Sequence, residues 1–143
     1  MLTVRSIERI RQSLFTGIPV DFTRDQNTSL TVHQVEPGAI RIGDETVTEN
    51  VIIFRDEVQR GISLGDIAAL RKEALDELLA KNPEIVILGT GWQTARPPRD
   101  LVFTMARRGI GFETMDTPAA CRTFNILLGD GRDVAAILII DKP

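Results

Sequence analysis

Residues 84–98, "EIVILGTGWQTARPP", decide how the rest of the chain is read. The run "EIVIL" is apolar almost throughout, as expected of a strand covered on both faces. Gly89 and Gly91 then let the backbone turn sharply at the strand end. Pro98 suits the first turn of a helix through "RDLVFTMARR", which stops at Gly109. Beyond it, "IGFETM" reads as a strand, and Asp116 or Thr117 caps a helix with Pro118 just inside it. That helix, "AACRTFNILL", ends at Gly129-Asp130-Gly131, and "DVAAILII" is a final buried strand. Upstream, "DIAALRKEALDELLAK" (66–81) places Ile67, Leu70, Ala74 and Leu78 on one helical stripe, ended by Asn82-Pro83. The alternation of strands and helices predicts an α/β sandwich.

Residues 28–60 have a different texture. The β-branched runs "SLTVHQV", "AIRI" and "TVTENVIIF", separated by "EPG" and "GDE", predict an N-terminal antiparallel β-meander. Gly43-Asp44 suits a tight hairpin turn. His33, the sole histidine, alternates with Val32 and Val35 and is expected on the strand surface.

A chain of 143 residues is read as one domain, 1–143, with 1–20 as a folded or fraying arm. That opening shares Arg and Ser enrichment with mitochondrial presequences, but Glu8 and the lack of a clear cleavage region speak against one. A net charge of -3 gives no reason to expect nucleic acid. Arg107 and Arg108 belong to a local basic excess and suit the last turn of their helix. One cysteine, Cys121, excludes an internal disulfide or a cysteine-based zinc cluster, and one histidine leaves nothing for a His-rich metal site. No apolar run reaches the ~18 residues of a membrane span.

The glycines do not make a nucleotide loop. Thr94 stands where a dinucleotide motif has its third glycine, the helix begins several residues too late, and Gly-Lys-Ser/Thr is absent. Instead the carboxyl ends of two strands, "LGTG" and "MDT", border a crevice if those strands are neighbours. The candidate pocket there comprises Gly89, Thr90, Gly91, Trp92, Asp116, Thr117, Cys121, Arg122 and Asn125. Trp92 serves as a lid, a partner anchor or packing. Free N–H groups of the helix after Asp116 can hold a small anion, unless Asp116 satisfies them itself. Cys121 near that helix start is a possible nucleophile, but the surrounding motif offers no base, and a buried inert cysteine is the stronger reading. Arg122 meets either an anionic ligand or, as preferred, Asp116 or Glu113 in an internal ion pair. On the helical wheel Ala120, Phe124, Leu127 and Leu128 face the core, with Cys121 and Asn125 at the edge.

At "ILGTG…PP" and "GFETMDTPAACRTFNILLGDGRDVAAILI" the chain resembles a small family of unknown biochemical activity that includes mitochondrial complex I assembly factor 3. The string "MDT-x-AACRTFN-x-LL" carries the resemblance, which covers about residues 85–140. It implies a three-layer fold with a central mixed sheet and transfers no catalytic residue. Asp130, where the family usually has Glu, and Trp92-Gln93 depart from its pattern.

The resulting expectation is a non-catalytic binding or assembly factor, linked to respiratory complex I assembly by resemblance, with another protein as partner. The alternative is a small-molecule-binding enzyme or sensor using the crevice. No cofactor and no metal are expected, the chain is a monomer or homodimer, and its place is the cytoplasm, or the mitochondrion for a eukaryotic source.

Overall fold

The structure, a computed structural model, describes residues 30–62, 64 and 66–141. The expected arm at 1–20 lies outside them. Among the described residues, eight strands form two sheets. Strands β1 (Val32–Glu36), β2 (Ala39–Ile42) and β3 (Glu45–Val47) form an antiparallel meander. Strands β4 (Val51–Ile53), β5 (Val58–Gln59), β6 (Ile85–Gly89), β7 (Gly111–Met115) and β8 (Val134–Leu138) form a five-stranded sheet in the order β5-β4-β8-β6-β7. Its β8, β6 and β7 are parallel, whereas β4 runs antiparallel to β8, so the sheet is mixed as expected.

Side-chain alternation divides the core into two faces. Ile52, Val86, Leu88, Ala135 and Ile137 point to one, and Val51, Ile53, Ile87, Val134, Ala136 and Leu138 to the other. The first face is covered by helices α1 (Asp76–Lys81) and α2 (Arg99–Arg107), contributing Leu78, Leu79, Leu101 and Met105. The second is covered by α3 (Thr117–Gly129) and the meander, through Ala120, Phe124, Leu128, Val32, Ile40 and Val47. Three layers result. The helices fall on opposite faces because β6-α2-β7 steps outward across the sheet while β7-α3-β8 steps back over β6, as crossovers of one hand require.

Two expectations are corrected. The run "TVTENVIIF" is not one meander strand. After β3 the chain leaves the meander, and Val51–Ile53 join the central sheet, because three consecutive fully buried residues need cover on both faces. The helix expected over 66–81 is also broken. It becomes 3-10 turns at Ile67–Ala69 and Lys72–Leu75 followed by α1, with Leu70 and Arg71 extended between the turns. The cause lies in the apolar pattern. Ile67, Leu70, Leu75, Leu78 and Leu79 are all buried while Ala74 is exposed. On a continuous helix these five side chains would spread over about 180°. Resetting the backbone at Leu70–Arg71 brings them to one surface. Asn82, with φ 48°, closes α1 in the left-handed conformation ahead of Pro83. The Gly43-Asp44 hairpin stands as expected, with Gly43 at φ 57° and Ile42 paired to Glu45. His33 is exposed.

Candidate functional site

The two strand ends do meet. Because β6 and β7 are parallel neighbours in the register Gly89–Met115, the residues after each fall side by side. Gly91 N–H donates to Thr117 Oγ1 at 2.8 Å, and Thr117 N–H donates to Gly91 O at 2.7 Å. The Thr117 hydroxyl in turn donates a hydrogen bond to Ile139 O at 2.7 Å, which ties in the end of β8. Thr90 N–H donates to Met115 O at 2.9 Å, and its hydroxyl bonds Gln93 O at 2.7 Å and Met115 O at 3.2 Å. Thr90 and Thr117 are 6% and 3% exposed, so these bonds satisfy groups that water does not reach.

The glycines are explained by the same junction. A Cβ on Gly89 would lie 2.9 Å from Ala120 Cβ, 3.0 Å from Thr117 Oγ1 and 3.1 Å from Leu138 Cδ2. Its bare backbone is what lets the first turn of α3 rest on β6. Gly91 has φ 91°, and a Cβ there would lie 2.5 Å from the Asp141 carboxylate, whose Oδ1 accepts from Trp92 N–H at 3.2 Å. Asp141 O also accepts from Gly38 N–H at 2.9 Å, joining the junction to the β1–β2 turn. Asp141 was not among the residues singled out by sequence. Only the β6–β8 register, Gly89 opposite Leu138, brings it to Gly91.

The remaining candidates have separate surroundings. Asp116 is the N-cap of α3, its Oδ1 accepting from Ala119 N–H at 2.8 Å. Cys121 is 1% exposed, and burial pushes its thiol up from 9.0 to about 12, against a smaller opposing pull from Arg122. A thiol so placed is protonated at neutral pH and unsuited to nucleophilic attack. Arg122 is exposed, and among the described residues it forms no ion pair with Asp116 or Glu113, so the expected internal pair is corrected. Its position one residue past the buried Cys121 turns it outward. Trp92 is half-buried. Asn125 spends both ends of its amide on β1, with Nδ2 donating to Val32 O at 2.8 Å and Oδ1 accepting from Val32 N–H at 2.9 Å. The β1–β2 register shifts beside Val32, so the amide of α3 holds this strand end where ladder pairing is irregular.

A second surface escaped the sequence reading. The 3-10 turns and α2 enclose a groove of about 520 Å³, lined by Leu70, Arg71, Lys72, Glu73, Asp100, Leu101, Phe103 and Arg107. Phe103 is 55% exposed at its edge and Val102 41%. The signal was present: with Leu101 and Met105 toward the core, Phe103 falls about 200° round the helix from Leu101. Among the described residues, no group of three or more His, Cys, Asp or Glu could hold a metal, and no helix is long and apolar enough to cross a membrane.

Three comparisons fit this architecture. The chain is 37% identical over 89 residues to the 13 kDa major membrane protein of Francisella tularensis subsp. holarctica, covering 62% of this chain and 68% of that protein. It is 47% identical over 62 residues to human NADH dehydrogenase [ubiquinone] 1 alpha subcomplex assembly factor 3, covering 43% of this chain and 34% of that one. The alignment thus spans about a third of the human assembly factor's length. A Xanthomonas campestris protein solved by NMR superposes with a TM-score of 0.72 at 29% identity, covering 77% of this chain and 83% of that chain. Residues 32–139, which run from the start of the meander to the end of the central sheet, match the family described as "Protein of unknown function (DUF498/DUF598)", and the chain belongs to that family.

Proposed function

We propose that this protein works by binding another polypeptide, as a non-catalytic assembly factor, with assembly of respiratory complex I as the closest context. The observation that carries this reading is the way the strand-end groups are used. The Thr90 and Thr117 hydroxyls and the Asp116 carboxylate bond the chain's own backbone, the Gly91 amide bonds the Thr117 hydroxyl, and the sole cysteine is a buried thiol held protonated. We therefore read the junction as scaffold, which fixes three layers relative to one another so that surface features hold a constant geometry. The name of the human relative supports complex I as the context. On this reading the protein acts in the cytoplasm, or in the mitochondrion of a eukaryotic source.

The test is gentle chemical cross-linking and affinity capture of the intact chain from its own cell, with bound proteins and bound metabolites identified together. The proposal expects a stoichiometric protein partner that survives washing. A tightly bound metabolite that undergoes turnover, with no protein partner, would overturn it.

A further inference from the structure

We propose that the groove between the 3-10 turns and α2 docks an acidic segment of a partner polypeptide. One large apolar side chain of that segment lies on Phe103 over the Leu70–Leu101 floor, and its flanking carboxylates reach Arg71, Lys72 and Arg107. The proposal rests on the binding function above and names the surface and the partner chemistry for it.

Charge is the first argument. The ion pairs among the described residues join Arg41 with Asp44, Arg60 with Glu45, Lys81 with Glu57 and Arg132 with Glu84. Arg71, Lys72, Arg99 and Arg107 enter none of them, and all four are exposed. Among the described residues Arg107 makes one side-chain hydrogen bond, a long one of 3.5 Å from Nη2 to Thr104 Oγ1. Three of these cations line the groove, against the carboxylates of Glu73 and Asp100. In a chain of net charge -3 this is a local reversal of sign. It complements an acidic ligand, while Glu73 and Asp100 penalise a carboxylate seated out of register.

Shape is the second argument. Arg99, Phe103 and Arg107 recur at four-residue spacing on α2 and so share one face, an aromatic ring between two guanidinium groups. Phe103 is 55% exposed and lines the groove together with the recessed Leu70 and Leu101, which are 2% and 1% exposed. An exposed aromatic ring beside a recessed apolar floor, with three cations and two carboxylates in the lining, has the composition of an interface anchor point. A lipid surface would meet a convex cationic face. Here the apolar base is recessed in a groove of about 520 Å³, room for one or two side chains.

The experiment selects a random peptide library on the intact chain and then measures the selected peptides by fluorescence anisotropy. Wild type is compared with Phe103→Ser and Arg107→Glu. Selected sequences should carry net negative charge around one large apolar residue, and added salt should weaken them. Phe103→Ser should weaken binding about ten- to thirtyfold, the usual effect of removing an aromatic anchor. Both substitutions are at exposed positions, and an unchanged thermal midpoint verifies folding. Selection of neutral or basic peptides, or binding indifferent to both substitutions, overturns the proposal. So does Phe103-dependent binding to phosphatidylserine vesicles in place of peptides. Parallel capture from the cell separates the two levels. A partner retained equally by wild type and Phe103→Ser sinks the groove but leaves the binding function standing. No partner on wild type, alongside peptides that bind as expected, sinks the binding function itself.

Discussion

Replacing Thr117 by Val tests the strand-end junction at its centre. The two side chains have nearly the same shape, so the change removes a hydroxyl and little else. That hydroxyl accepts from Gly91 N–H and donates to Ile139 O, and Thr117 is 3% exposed. Thr117→Val therefore strands a buried amide and a part-buried carbonyl at once. Each unsatisfied group costs about 1–3 kcal/mol, and the gained methyl returns about 0.8 kcal/mol. The net loss is about 1–5 kcal/mol. Thr and Val differ little in helix propensity, so the position at the start of α3 adds nothing large. Thr117→Ser is the control, because it keeps the hydroxyl and forfeits one methyl, about 0.8 kcal/mol. Urea denaturation, at about 2 kcal/mol per M, reads the difference as a shift in midpoint of about 0.5–2.5 M for Val and about 0.4 M for Ser. If Val is no more destabilising than Ser, the hydroxyl is not structural and the reading of the junction as scaffold fails.

Four further outcomes follow from the same geometry. Gly89→Ala should cost about 1–3 kcal/mol, since its Cβ would meet Ala120 at 2.9 Å, and an unchanged midpoint would show that α3 can lift at no cost. Asn125→Ala should speed amide exchange in the meander far more than in β6, because it releases both bonds to Val32; uniform exchange would mean the clamp is idle. Asp116→Ala should cost about 1 kcal/mol as a lost N-cap, and no shift in the midpoint would mean that the cap adds nothing. The Cys121 thiol ionises at 9.0 when exposed in the unfolded chain and at about 12 when folded, so its contribution is intact below pH 9 and is lost as pH rises from 9 toward 12. Cys121→Ala should flatten the fall of stability across that window, and an identical slope in both proteins would contradict the burial of the thiol.

How much of this was legible in the sequence depended on the range of the interactions involved. The β6-α2-β7-α3-β8 unit could be read because each element carries its own local signal: an apolar run, a proline at a helix start, a glycine at its end. The parallel placement of "LGTG" beside "MDT" could be read for the same reason, since a helix-length crossover brings adjacent strands together. The partner of β4 could not. Its run "VIIF" looks the same beside a meander strand as beside β8, and only the global cover of both sheet faces selects the second. The break at Leu70–Arg71 was hidden because each half of the 66–81 segment separately fits a helical period. Asn125 was noticed for its place on the wheel, but its partner Val32 lies 93 residues away, beyond any periodicity. The α2 groove was overlooked for a different reason. It carries no polar motif, and an outward-facing Phe103 becomes evident only when the helix is oriented by Leu101 and Met105.

The measurement that bears most directly on the central claim is complementation of a deletion strain by Cys121→Ala and, separately, by the double variant Phe103→Ser/Arg107→Glu. Both proteins must first be shown to fold and accumulate like wild type. Function through binding predicts that Cys121→Ala restores the strain fully while the double variant fails. A folded Cys121→Ala protein that cannot complement, beside a double variant that can, would contradict the account and move the function to the chemistry of the junction.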